Sequence, residues 1–155
     1  MVDEDFRRAW AGRAGDYFVA AFGLAPVTAR LLAWLMICEP AGQSGSDLAA
    51  ALGVSRASIT TSLRLAQAAR LITRRTRSGD RTVYYVIDDD AWHEVIRRRI
   101  TSMAAFAQIA GEAIDQMEAN GQPATRIRAA RDVFAWLGTL AGAPQLQPTP
   151  RRPHR

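Results

Sequence analysis

Apolar residues recur at intervals of three and four in several stretches of the chain, and this spacing predicts amphipathic helices. The first stretch covers residues 4–22, carries an aromatic-rich side and ends at Gly23. Pro26 suits the first turn of a second helix, whose segment 29–37 is almost wholly apolar. We expect this second helix at the centre of the core.

Two shorter helices are predicted next. Ser46 is placed to cap a helix that ends at Gly53, and Ser55 is placed to cap another through the amide of Ser58. The helix after Ser55 separates into two faces, since residues three and four apart share a side. The inward stripe is Ile59, Ser62, Leu63 and Ala66, and the outward stripe is Arg56, Ala57, Thr60, Thr61 and Arg64.

A β-hairpin follows. Residues 71–76 and 82–87 are rich in β-branched and aromatic side chains and flank the turn signal at 78–80. Its basic residues are Arg74, Arg75, Arg77 and Arg81. Asp80 is expected to orient one of these arginines through a salt bridge.

The remaining chain predicts two further helices and a tail. A long apolar stripe runs from Trp92 to Met117, and the acidic residues 88–90 favour its start. Pro123 begins a final amphipathic helix. Residues 143–155 lack periodicity and predict a disordered basic tail.

Charge is concentrated in the segment that spans the two short helices and the hairpin. Residues 44–87 hold seven arginines against Asp47 and Asp80, a net charge of +5 that equals the value for the whole chain. A local positive patch on a nearly neutral body is typical of proteins that bind a polyanion.

Composition limits the other possibilities. The 155 residues suit one domain, and the single Cys38 leaves no disulfide or Cys pair for a metal, so we predict a buried packing role for it and a reducing cytoplasm. No apolar run approaches a membrane span, and we expect no membrane partner. The two histidines, His93 and His154, accompany no nucleophile motif or phosphate-binding loop, so we predict neither an enzyme nor a cofactor.

The run LAAALGVSRASITTSLRLAQAARLI joined to the basic hairpin resembles the winged helix-turn-helix of the MarR superfamily. The flanking segments GLAPVTARLLAWLMICEP, DDDAWHEVIRRRI and PATRIRAARDVFAWL are similar to the GbsR-like branch of MarR-type regulators. One position departs from that pattern. Such regulators usually carry Gly where this chain has Arg70, so either Arg70 tolerates a left-handed backbone or the helix ends differently.

The resemblance implies a mainly α fold with a small hairpin wing, in a single MarR-like domain over 1–142. It implies a winged core at about 24–90 and dimerisation helices at about 4–22 and 91–142. The function it implies is a homodimeric repressor that binds a specific site on double-stranded DNA and responds to a small ligand.

The predicted DNA-binding residues lie on the outward helix face and the wing. They are Ser55, Arg56, Ala57, Thr60, Thr61, Arg64, Arg74, Arg75, Arg77 and Arg81. Aromatic residues form a candidate effector site, because grouped aromatic faces hold quaternary ammonium groups, although such residues also suit plain core. They are Trp10, Phe18, Trp34, Trp92 and Phe106. The alternative function is a winged-helix module for protein or RNA, and the polar, Arg-rich outward face argues against protein docking.

Overall fold

The structure is a computed structural model that describes residues 2–143 and 146. Apart from residues 143 and 146, the predicted tail lies outside the described residues. Helices alternate with a few short strands in the order α1 (Glu4–Phe22), α2 (Pro26–Ile37), β1 (Gln43–Ser44), α3 (Gly45–Leu52), α4 (Arg56–Ala68), β2 (Ile72–Thr76), β3 (Val83–Ile87), α5 (Ala91–Ala104), α6 (Phe106–Ala119) and α7 (Thr125–Leu140). The predicted fold class, mainly α with a small β wing, is confirmed.

The chain divides between residues 91 and 92 into two compact units. In the first unit, α2 supplies the centre of the core, as its apolar segment predicts, and Leu31 and Leu32 are fully buried. Helix α1 crosses α2 closely at Gly15, where an added Cβ would lie 2.8 Å from the Cγ of Arg30. The small residue at this position therefore sets the distance between the two helices.

Helix α3 is held at both ends. The cap is Ser44 and not Ser46, because the Ser44 Oγ accepts from the Asp47 amide while Asp47 accepts from the Ser44 amide, at 3.2 and 3.0 Å. This hydrogen bonding, first of all that of the Ser44 hydroxyl, lowers the pKa of Asp47. At the other end, Arg8 of α1 and Arg30 of α2 donate to the carbonyls of residues 51 and 52, at 2.9 and 3.3 Å.

The three strands form one antiparallel sheet in the order β1-β3-β2. The predicted hairpin pairs Ile72 with Ile87 and Thr76 with Val83. Strand β1 was not predicted, and it pairs Gln43 with Tyr85. A two-residue strand has no periodicity of its own and exists through its partner, so the hairpin prediction was incomplete at this edge.

The same C-terminal motif closes α3, α4 and α6. At each end one residue has a left-handed backbone, and the next amide donates to a carbonyl five residues back. Gly53 and Gly121 hold this position in α3 and α6, with φ of 64° and 68°. In α4 it is Arg70, with φ of 58°. Of the two possibilities at this position, the structure therefore has Arg70 in the left-handed conformation.

In the second unit, the predicted helix from Trp92 to Met117 is interrupted. Helix α5 stops at Ala104 and α6 begins at Phe106. At this break the amide of Gln108 donates to the carbonyl of Ala105, three residues back, at 3.2 Å. Helices α6 and α7 form an antiparallel pair, with the rings of Phe106 and Phe134 4.8 Å apart. None of the residues that the structure describes belongs to a helix long and apolar enough to cross a membrane.

Candidate nucleic-acid interface

Helix α4 begins as its sequence predicts. The Ser55 Oγ accepts a hydrogen bond from the Ser58 amide at 3.2 Å, and Ser55 itself is extended, with φ of −67° and ψ of 153°. The turn at Gly53 brings the chain from α3 to this cap. The exposed start of α4 therefore presents amides and a positive helix dipole to solvent, which favours a phosphate.

The two faces of α4 separate as predicted. Ile59, Ser62, Leu63 and Ala66 are at most 5 % exposed, so this stripe fixes the helix on the core. Every residue of the opposite stripe is exposed, namely Arg56, Ala57, Thr60, Thr61 and Arg64. This outward face carries two cations, two hydroxyls and a methyl group, a combination suited to base edges and phosphates.

Two side chains of the outward face have partners within the unit. The Arg56 guanidinium donates to the Ser46 Oγ at 2.7 Å, which joins α4 to α3. The Thr60 hydroxyl donates to the Arg56 carbonyl at 2.9 Å, so its oxygen stays open as an acceptor. Ser46 was predicted as a cap, and the structure makes it a partner of Arg56. Sequence spacing gave no signal for this contact, since the two residues belong to different helices.

A cleft of about 440 Å³ separates α4 from β3. Its lining includes the apolar side chains of Ile59, Leu63 and Val83, together with the cations Arg56 and Arg64. We call it the helix-wing cleft. It brings the two predicted cations of α4 into the same concave surface as the base of the wing.

The four predicted arginines of the wing are all exposed, namely Arg74, Arg75, Arg77 and Arg81. The first two lie on β2, and the other two lie in the turn between β2 and β3. The guanidinium carbon of Arg77 lies 4.2 Å from the ring centroid of Tyr84. Tyr84 is a residue that sequence reasoning missed, and only the register of the hairpin identifies it.

Asp80 does not form the predicted salt bridge that orients an arginine. Its carboxylate instead accepts hydrogen bonds from the Thr82 amide and the Tyr84 hydroxyl, each at 2.8 Å. The amide of Thr82 is the first cause that lowers the pKa of Asp80, and Arg77 contributes weakly. The hydrogen bond to Asp80 raises the pKa of Tyr84. Asp80 is therefore tied to the turn and to Tyr84, and its carboxylate forms no ion pair with the four exposed arginines of the wing, all of which the structure describes.

The five aromatic residues predicted for an effector site fall in both units. Trp10, Phe18 and Trp34 belong to the first unit, and Trp92 and Phe106 belong to the second. Phe18 and Trp34 are buried, and Phe18 packs against the ring of Phe22 with centroids 6.1 Å apart. The effector site stays a prediction.

Cys38 is buried, as predicted, and its thiol is 3.6 Å from the Ala41 carbonyl. Burial raises the pKa of this thiol to about 11. A thiol with such a pKa is almost wholly protonated near neutral pH, and the protonated form is a poor nucleophile.

A helix capped by Ser55, with a buried apolar stripe and an exposed cationic stripe beside a basic wing, defines a winged helix-turn-helix protein. The family model described as "MarR family" matches residues 22–81. The HTH-type transcriptional regulator MmpR5 of Mycobacterium tuberculosis strain H37Rv is 33 % identical over 124 residues, which are 79 % of this chain and 74 % of that protein.

A solved structure supports the same assignment. A crystal structure described as a transcriptional regulator is 29 % identical, with a TM-score of 0.60 over 88 % of this chain and 92 % of that one. The chain belongs to the MarR family of DNA-binding transcriptional regulators.

Proposed function

We propose that this chain is a homodimeric repressor that binds a specific site on double-stranded DNA and releases or tightens it in response to a small ligand. The proposal includes the GbsR-like branch, which the flanking segments of the sequence support, and one domain over residues 1–142. One observation carries it. All ten predicted contact residues are exposed, and they lie on one helix face and one hairpin.

The roles within the interface follow from position on the elements. The N-terminal part of α4 enters the major groove, where Arg56 and Arg64 bind guanine edges or phosphates and Ala57 contacts a thymine methyl group. Ser55, Thr60 and Thr61 bind bases or backbone. Arg74, Arg75, Arg77 and Arg81 of the wing bind phosphates or a narrow minor groove.

Selection of bound genomic fragments, followed by fluorescence anisotropy across a salt series, tests DNA binding. Arg56→Ala is expected to lower affinity and change base preference, because a guanidinium that contacts a base edge discriminates by about 1–3 kcal/mol. Arg13→Ala is the matched control, since it removes the same charge from the exposed surface of α1. Equal behaviour of the two variants, or stronger binding to an RNA of the same sequence, would contradict the proposed interface.

Dimerisation is supported by the apolar surface of the second unit. Of the sixteen residues of α7, all of which the structure describes, none is buried. Ile109 of α6 and Val133 and Trp136 of α7 are 58–62 % exposed. Large apolar side chains that remain exposed on a helix pair mark a protein interface. A second copy of the chain would cover them, and a dimer of this kind binds two half-sites about 34 Å apart, one turn of DNA.

Light scattering at micromolar concentration tests this assembly. The expected mass is twice the 17.0 kDa of one chain. Ile109→Asp is expected to shift the protein towards the monomer, because it brings a charge into the apolar contact. Gln116→Asp introduces the same charge at an exposed polar position of α6 and is expected to leave the mass unchanged. A single-chain mass for the natural sequence would exclude the dimer.

Ligand control and repression are the remaining parts of the proposal. Aromatic side chains support a quaternary ammonium or aromatic acid as the effector. Calorimetry with betaine, choline and aromatic acids is expected to give heat with one of these compounds and to change the affinity for DNA. Deletion of the gene that encodes this protein is expected to raise transcription of the genes beside the bound fragments. Unchanged transcription would contradict repression.

A further inference from the structure

The two faces of the wing differ. Side chains alternate along β3, so Val83 and Tyr85 line the helix-wing cleft while Tyr84 lies on the other face. Residue 75 pairs with Tyr84, and Arg77 continues on that same face beyond the end of β2. As a result, the guanidinium carbon of Arg77 lies over the Tyr84 ring, 4.2 Å from its centroid.

The hydroxyl group of Tyr84 is fixed by a hydrogen bond. This hydroxyl donates to Asp80, and Asp80 is fixed by the amide of Thr82, each at 2.8 Å. The Asp80 amide also donates to the carbonyl of Arg77 at 3.0 Å, which closes the turn around Gly79 with φ of 77°. Arg77, Asp80 and Tyr84 therefore form one connected cluster, which we call the wing-tip cluster.

The contact with the Tyr84 ring leaves N–H donors of Arg77 available to a phosphate. A guanidinium that lies over a ring uses its face, while its five N–H donors point outward in its plane. A phosphate accepts two of these donors in a fork. Because the ring already restricts the long side chain, less rotamer freedom is lost when a phosphate binds.

We infer that Tyr84 and Asp80 are positioning residues that hold Arg77 for a backbone phosphate of the bound DNA. The inference rests on the proposed function. It adds Tyr84 to the interface and gives Asp80, which was predicted to orient an arginine by a salt bridge, an indirect role through Tyr84. A role in wing stability alone is the competing explanation, and it predicts that loss of Tyr84 weakens binding through every arginine of the wing.

A double-mutant cycle separates these two explanations. Anisotropy titrations on one selected DNA fragment compare Arg77→Ala, Tyr84→Leu and the double variant across a salt series. Arg77→Ala is expected to lower the salt slope by about 0.9, the value for one phosphate contact. Tyr84→Leu is expected to weaken binding about two- to fivefold at low salt, and to have no further effect once Arg77 is removed.

Arg74 provides the matched control, because it pairs with Tyr85 on the opposite face of the hairpin. The effects of Arg74→Ala and Tyr84→Leu are expected to multiply. Tyr84→Phe keeps the ring and loses the bond to Asp80, so it should keep the salt slope and lose less affinity than Tyr84→Leu. Independent effects of Arg77→Ala and Tyr84→Leu would overturn the inference. Failure of the natural sequence to bind any duplex fragment would instead overturn the proposed function.

Discussion

Replacement of Arg70 by glycine is expected to stabilise the protein. The three helices that end in the same motif differ in one respect, since α3 and α6 use Gly53 and Gly121 where α4 uses Arg70. A left-handed backbone costs an L-residue roughly 1–2 kcal/mol, because its Cβ crowds the following carbonyl. Glycine avoids this cost, although its unfolded chain has more freedom, worth roughly 0.5–1 kcal/mol. The difference between the midpoints of these two ranges predicts a gain of about 0.5–1 kcal/mol for Arg70→Gly.

The hydrogen bonds at this helix end should survive the change. The amides of Arg70 and Leu71 donate to the carbonyls of residues 67 and 66, each at 2.9 Å, and both donors are backbone groups. Leu71 and Ala66 are buried, so the apolar contact that accompanies the motif is unaffected. Only the strain at one residue and the loss of an exposed side chain distinguish the variant.

Urea unfolding followed by circular dichroism, at fixed protein concentration, measures the gain. For a chain of 155 residues it corresponds to a rise in Tm of about 1–4 °C. Arg70→Ala is the control, because it removes the same charge and keeps the strain. The reasoning would be refuted if Arg70→Gly were no more stable than Arg70→Ala, or if Gly53→Ala, the reciprocal change in α3, had no cost.

Three further predictions concern the first unit. Gly15→Ala should destabilise it by about 1–3 kcal/mol in the same unfolding assay, because the added Cβ meets Arg30 at 2.8 Å; unchanged stability would show that the helices separate freely. If Arg56 binds a base edge as proposed, Ser46→Ala should relax base preference at that position, since the 2.7 Å hydrogen bond to Arg56 is lost, whereas Ser46→Thr should retain the preference in the same binding selection. Cys38, with its pKa raised to about 11, should react slowly with a thiol reagent at pH 8 until the protein unfolds, and rapid labelling of the folded protein would contradict its burial.

Much of the fold was predictable because its signals are local. The cap at Ser55, the stop at Gly23 and the two faces of α4 depend on residues within one or two turns. The cap of α3 was also within reach, since Ser44 and Asp47 have the spacing of a capping box.

The features that were missed depend on distant partners or on weak preferences. Strand β1 exists through its pairing with β3, and the contact of Ser46 with Arg56 joins two helices. The break at Ala105 has no sequence signal, because alanine is the best helix former. Asp80 was expected to pair with an arginine, and the hairpin register instead brings Tyr84 to it. For the candidate site, residue types and exposure were predictable, whereas the contacts that orient the side chains were not.

The claim that the outward face of α4 and the wing bind a DNA duplex is tested most directly by hydroxyl-radical footprinting on a selected genomic fragment. The natural sequence should protect two stretches whose centres lie about 10 base pairs apart, one for each α4 helix of the proposed dimer. The Arg56→Ala, Arg64→Ala double variant should lose this protection while its circular dichroism spectrum stays unchanged. Protection that persists in the folded double variant, or a natural protein that protects no fragment, would contradict the account.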